Sequence, residues 1–195
     1  VFNGEIFNYI ELKDQFLADI QFRSTGDTEV LLQLLIRFGH EAIALLNGMF
    51  AFCFIDHADR RFLLARDRFG IKPLYFSVKH NHLSFSSELK ALPKFYDGNY
   101  TLNHQAILDY LGSGYIGGEH SIFNEVNRLK PGHYIEGSLE RIKDSVEIRQ
   151  YWKLSLAHNQ YENEEEALND FEELFDDAVK IRLRSDVPVG IFLSG

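Results

Sequence analysis

The first eight residues, Val1-Phe2-Asn3-Gly4-Glu5-Ile6-Phe7-Asn8, join an apolar entry, a turn-permissive glycine and three polar side chains. The Asn3 amide and the Gly4 backbone N–H are donors of the kind that hold a developing oxyanion, and the Glu5 carboxylate suits a cationic ammonium. The plainer alternative is a strand entering a tight turn. A second acid, Asp27 in Gly26-Asp27-Thr28-Glu29, precedes an apolar helical run, where on its own it reads as a helix N-cap. A third cluster, Arg66-Asp67-Arg68-Phe69-Gly70-Ile71-Lys72-Pro73, sets three cations around one anion in a loop. Such a cluster could bind a carboxylate or phosphate. It could equally hold its own shape through an ion pair of Asp67 with Arg66 or Arg68, which one anion among cations favours. On that reading, loss of the Asp67 carboxylate costs about 1–3 kcal/mol through unpaired charges.

The single cysteine, Cys53, lies between Phe52 and Phe54, surroundings that raise a thiol pKa and leave it unreactive. One cysteine also excludes an internal disulfide and a cysteine-based metal site. The histidines show no metal spacing beyond His80-x-His82 in a polar turn, so no metal site is expected.

These groups need elements to place them. Asn8 with Glu11 has capping-box spacing ahead of Leu12, Phe16, Leu17 and Ile20, which predicts a helix. A short strand is expected at 21–24, then a helix from Val30 to Phe38 closed by Gly39. From Met49 to His57 residues of both parities are apolar, so this strand must be covered on both faces. Further strands at 61–65, 74–78 and 82–85 continue an antiparallel meander, with Ser86-Ser87-Glu88 capping a short helix. A helix capped near Asn103 leads to a loop with Gly112, Gly114, Gly117 and Gly118, flexible enough for a lid or an interface. Lys130-Pro131-Gly132 turns into a strand, and residues 145–152 give the last β-pattern. Asn163 with Glu166 forms another capping box for a long helix, which delivers the chain to an apolar strand from Val187 to Leu193. A strand ending in Ser194-Gly195 can open a phosphate-binding nest. Periodicity alone supports a layered α+β fold.

Composition narrows the function. The chain has 195 residues, 45% of them hydrophobic, enough for a sizeable core. A net charge of -9 without a Lys/Arg cluster argues against a nucleic-acid surface. The longest apolar runs are strand-sized, so no membrane span is expected; no signal peptide is visible, and an internal fragment would not show one.

The motifs Asn3-Gly4-Glu5-Ile6-Phe7-Asn8, Gly26-Asp27-Thr28-Glu29, Asn47-Gly48-Met49-Phe50-Ala51-Phe52, Arg66 to Tyr75, Ser86 to Leu92, Lys130-Pro131-Gly132 and Ser185 to Gly195 occur in order along nearly the whole chain. In these the sequence resembles the glutamine-hydrolysing asparagine synthetases, class II amidotransferases with an N-terminal cysteine nucleophile. The resemblance implies a four-layer αββα N-terminal-nucleophile hydrolase domain over residues 1–155, incomplete at its N-terminus. The first helix and strand of an α/β ATP-pyrophosphatase domain would follow over residues 162–195. It implies that Asn3 and Gly4 form the oxyanion hole, and that Glu5 and Asp27 bind the α-amino group of glutamine. Leu193, Ser194 and Gly195 would belong to an ATP loop of the form Ser-Gly-Gly-x-Asp-Ser. Glutamine, aspartate and ATP with Mg²⁺ are the implied substrates and cofactors, the cytoplasm the implied location, and a homodimer the candidate assembly. Against this pattern Val1 falls inside the family's domain, so the chain reads as an internal fragment without the nucleophile, inactive by itself. Two alternatives stay open: an amidotransferase acting on another acceptor carboxylate, such as a sugar acid, and a non-catalytic glutamine-binding module.

Overall fold

The computed structural model describes residues 1–95, 100–155, 161–185 and 187–190. The chain divides into two compact units, Val1–Lys153 and Leu154–Gly195.

The first unit opens with strand β1 (Phe2–Ile6) and helices α1 (Tyr9–Phe16) and α2 (Asp27–Phe38). A 3-10 turn at Gly39–Glu41 runs into α3 (Ala42–Leu45), and then come β2 (Gly48–Asp56), β3 (Arg61–Arg66), β4 (Tyr75–Lys79) and β5 (His82–Ser86). A 3-10 helix at Leu89–Phe95 precedes α4 (His104–Ser113), β6 (Asn127–Arg128), β7 (His133–Ser138), α5 (Ile142–Ser145) and β8 (Glu147–Gln150). The strands form a five-stranded sheet in the order β1-β2-β3-β7-β8 and a three-stranded sheet in the order β5-β4-β6, antiparallel throughout.

β2 explains why two layers must flank the larger sheet. Its Phe50 and Phe52 join Leu12, Val30, Leu34, Leu35 and Ile43 of the helices, and Leu17 just after α1, in one core. Its Ala51 and Cys53 meet Leu64, Leu74, Phe76, Leu129 and Ile135 in a second core that draws on both sheets. Side chains of both parities are therefore covered from Phe50 to Cys53, while Ile55 near the strand end is exposed, and each large one fully buried contributes about 1.5–3 kcal/mol. α2 keeps its stripe on that core because Val30, Leu31, Leu34 and Leu35 recur at helical spacing, with Asp27 and Glu29 in its first turn and Arg37 in its last.

Several local expectations need correction. Asn8 sits at the N-cap position of α1 but makes no side-chain cap bond. Its amide donates to Leu45 O at 3.0 Å and accepts the Asn47 N–H at 2.9 Å, so it ties α1 to the α3–β2 junction instead. No strand forms at 21–24. There the Glu29 carboxylate accepts the Arg23 N–H, the Ser24 N–H and the Ser24 hydroxyl, which satisfies the backbone without a ladder. The glycine-rich loop after α4 is anchored rather than loose. The Arg128 guanidinium donates to Gly118 O and Ile116 O, and Lys130 pairs with Glu119 at 3.1 Å.

In the second unit, α6 (Glu164–Arg182) starts as its capping signal requires, with Asn163 Oδ1 accepting the Glu166 N–H at 2.9 Å. Residues 187–190 form no strand, and the rest of the expected Val187 to Leu193 strand lies outside the described residues. So do the proposed ATP-loop residues Leu193, Ser194 and Gly195. No helix is long and apolar enough to cross a membrane among the described residues.

Candidate functional site

β1 is an edge strand, and the alternation of its ladder decides where its groups point. Cys53 N–H donates to Val1 O at 2.8 Å and Phe7 N–H to Asn47 O at 2.8 Å, so odd-numbered residues of β1 form the hydrogen-bonded pairs with β2. Gly4, opposite Phe50, falls in a non-hydrogen-bonded pair. Its N–H consequently points away from β2, toward the free edge, as does that of Ile6. Asp27 Oδ2 accepts the Ile6 N–H at 2.8 Å. This bond brings the start of α2 to the strand beside Glu5, and it corrects the N-cap reading of Asp27. Gly26 occupies the cap position, and Asp27 is the first helical residue.

Gly4 is required where it stands. It adopts φ +150°, and a Cβ there would lie 2.0 Å from Met49 O. Gly48 meets the same demand from the other strand, since its Cβ would lie 2.3 Å from Glu5 O. The two backbones approach so closely that side chains at either position would part them.

Strand alternation places Asn3 and Glu5 on the same face of β1. Asn3 lines a cleft of about 440 Å³ with Ala51, Leu74, Phe85, Ser86 and Ser87, and its Nδ2 donates to Ser87 Oγ at 3.0 Å. Ser87 was not among the site residues expected from sequence, having been read as part of a cap. Ser86 serves the cap, accepting the Glu88 N–H at 3.1 Å. Two adjacent serines where one cap suffices were the available signal.

The Arg66–Lys72 loop is structural in a way that differs from the expected ion pair. Buried Asp67 accepts the N–H groups of Phe50 (3.2 Å), Phe69 (3.1 Å), Ile71 (2.9 Å) and Lys72 (2.9 Å). Arg66 donates to Lys72 O, Leu129 O and Gly70 O at 2.8, 2.6 and 2.7 Å. Burial, with the nearby Arg128 charge, lowers the Arg66 guanidinium pKa from its usual value. Tyr151 donates its hydroxyl to Arg66 O at 2.8 Å, and burial foremost pushes its phenol pKa well up. Both ionic side chains are spent on backbone groups, so neither is available to a ligand. This loop also positions the site strand, because the Asp67 N–H and carboxylate hold both backbone groups of Phe50, the residue opposite Gly4.

Burial pushes the Cys53 thiol up to about 11. Near neutral pH its thiolate fraction is on the order of 0.1% or less, too little for a nucleophile. We expect a disulfide reagent to leave Cys53 untouched in the native protein and to label it fully after denaturation. Rapid labelling of the folded chain would reverse this assignment.

The glutamine amidotransferase domain family matches residues 1–152, and the asparagine synthase family matches residues 170–195. The putative asparagine synthetase (glutamine-hydrolyzing) 2 of Methanocaldococcus jannaschii is 37% identical, the alignment taking in 100% of this chain and 37% of that protein. Asparagine synthetase (glutamine-hydrolyzing) 1 of Bacillus subtilis is 34% identical over 100% of this chain and 30% of its own length. An amidase of Penicillium rubens, chyE, is also 34% identical, over 100% of this chain and 28% of that protein. The chain thus spans about a third of the length of these curated relatives. Among solved structures, glutamine phosphoribosylpyrophosphate amidotransferase from B. subtilis, complexed with ADP and GMP, superposes with a TM-score of 0.51 at 20% identity. That match covers 82% of this chain and 30% of the other, and it shows a shared mixed fold of helices and antiparallel sheets.

Proposed function

We propose a function from one premise: the chain belongs to the glutamine amidotransferase domain family. Its site binds glutamine and releases ammonia from the side-chain amide, and the ammonia amidates an aspartate activated by ATP as β-aspartyl-AMP. The activity is that of a glutamine-hydrolysing asparagine synthetase. The observation that supports the glutaminase half is the edge of β1, where the Gly4 N–H points away from β2, Asn3 lines a cleft, and Asp27 accepts the N–H of Ile6, next to Glu5 in the chain. The second family match and the named relatives support the synthetase half.

In this reading Glu5 and Asp27 hold the α-ammonium of glutamine, two carboxylates on one cation. The Asn3 amide and Gly4 N–H stabilise the oxyanion of the tetrahedral intermediate. The nucleophile is a cysteine whose own α-amino group acts as base. Residues 1–155 form the four-layer αββα glutaminase domain, and residues 162–195 begin the ATP-pyrophosphatase domain, to which Leu193, Ser194 and Gly195 contribute. ATP with Mg²⁺ belongs to that second domain. The cytoplasm and a homodimer complete the proposal. A second reading, the same ammonia-releasing site serving another acceptor, is favoured by the amidase relative, whose identity equals that of the B. subtilis synthetase. Comparing aspartate with other carboxylates as acceptor separates the two.

Asp27→Asn tests the pocket. Asparagine keeps an oxygen for the Ile6 N–H but removes the charge, and a charge-assisted bond is worth about 1.5–3 kcal/mol, roughly 10- to 150-fold. In the native protein the KM for glutamine should rise at least about tenfold while ammonia-dependent synthesis is spared. Equal damage to both activities would point to misfolding. An unchanged KM would reduce Asp27 to a tether.

A further inference from the structure

We infer that Ser87 is a positioning residue for the oxyanion site, holding the Asn3 amide in place against the cleft that both residues line. The inference rests on the reading of Asn3 as an oxyanion donor and adds a residue to it.

An asparagine amide carries two N–H donors and one carbonyl acceptor on a rotatable bond. Turned one way it stabilises an oxyanion; turned by half a revolution it presents its own carbonyl oxygen and repels the charge. Asn3 is exposed on a five-residue edge strand, so packing does not choose between these orientations. The bond from Asn3 Nδ2 to Ser87 Oγ at 3.0 Å restrains the amide, here with its nitrogen toward Ser87. It takes one N–H as an anchor and leaves the second for the cleft that Asn3 and Ser87 both line.

Ser87 is itself well placed to act as a fixed point. The preceding Ser86 ends β5, paired opposite Tyr75 of the smaller sheet. Ser86 Oγ accepts the Glu88 N–H, which turns the chain into the 3-10 helix Leu89–Phe95, and Leu92 of that helix is fully buried. The bond therefore links the two sheets across 84 residues of sequence. Organisation of this kind is what oxyanion stabilisation demands, because a donor that must reorient during the reaction loses most of its value.

The test is a double-mutant cycle on glutamine hydrolysis in the native protein, using Asn3→Ala, Ser87→Ala and the pair, with Ser87→Thr and Ser87→Val as a matched set that differs only by the hydroxyl. Asn3→Ala alone should lower kcat by about 100-fold or more. Ser87→Ala should lower kcat by roughly three- to tenfold, the worth of one neutral hydrogen bond, with KM within about twofold and the melting temperature unchanged. Threonine should recover most of the loss and valine none. In the Asn3→Ala background, Ser87→Ala should have no further effect, since its role is exerted through Asn3. Equal losses in both backgrounds would overturn the positioning role, as would a loss that follows the melting temperature or an effect on KM alone. If Asn3→Ala is itself silent, the oxyanion reading fails and the role of Ser87 fails with it. Damage by Asn3→Ala alone, with Ser87 silent or additive, leaves the oxyanion reading intact and removes only Ser87.

Discussion

Gly4→Ala should unfold the edge of the domain and abolish glutamine turnover with it. The methyl group would sit 2.0 Å from Met49 O and 2.7 Å from Phe50 Cα, both backbone atoms that cannot swing aside. Alanine is also strained at φ +150°. Relief requires β1 to leave β2, which breaks the ladder from Val1 to Phe7 and exposes the face bearing Ile6. The expected loss exceeds about 4 kcal/mol, in the range that only a named steric or packing failure reaches. With a urea m-value of about 2 kcal/mol/M, the midpoint should fall by about 2 M. Gly26→Ala supplies the control. Nothing lies within 4 Å of a Cβ there, and the backbone is extended, so only the N-cap preference for glycine over alanine is lost and its midpoint should fall by no more than about 0.5 M. A native-like midpoint for Gly4→Ala would mean that β1 can be displaced without cost, and the site geometry would have to be redrawn.

Asp67→Ala carries the second large effect. It strands four N–H donors, those of Phe50, Phe69, Ile71 and Lys72, around a carboxylate position that is 1% exposed. Each unsatisfied buried donor costs about 1–3 kcal/mol, and water entering the looser end of the loop recovers part of it. A net loss of about 4 kcal/mol is expected, larger than the ion-pair reading allowed. Asp67→Asn should recover less than half, because an amide oxygen serves fewer donors while its NH2 faces other N–H groups. Thermal melting together with glutamine KM discriminates. Unchanged stability with a collapsed glutamine affinity would restore the ligand-binding reading of this loop.

The residues differ in how far their roles were legible. The strand from Gly48 to Asp56 announced its two covers because apolar side chains occupy both parities, a pattern that survives whatever packs against it. The caps at Asn103 and Asn163 were legible because a cap oxygen and the N–H that donates to it lie three residues apart. That Asn3, Gly4 and Glu5 lie side by side was legible because one short strand carries them. What failed were contacts between distant segments. Asn8 has the local credentials of a cap, yet its amide is taken by residues nearly 40 positions away. Asp67 found no cation, because backbone N–H groups gathered by a turn leave no signature in residue type. Asp27 was placed one position too early for the same reason, since its partner is the Ile6 N–H.

The order of strands has a consequence for synthesis. β3 lies at the centre of the larger sheet between β2 and β7, and β7 begins at His133, nearly 70 residues after β3 ends at Arg66. At roughly 5–20 residues per second, a ribosome takes about 3–14 s to deliver it. For that interval the nascent chain holds β1, β2 and β3 with one edge of β3 bare and the apolar face of β2 waiting for its second cover. An open edge of this kind invites pairing with other chains. The segment that presents the site is thus made well before the strand that closes its sheet, and its safe arrival depends on what shields that edge during translation.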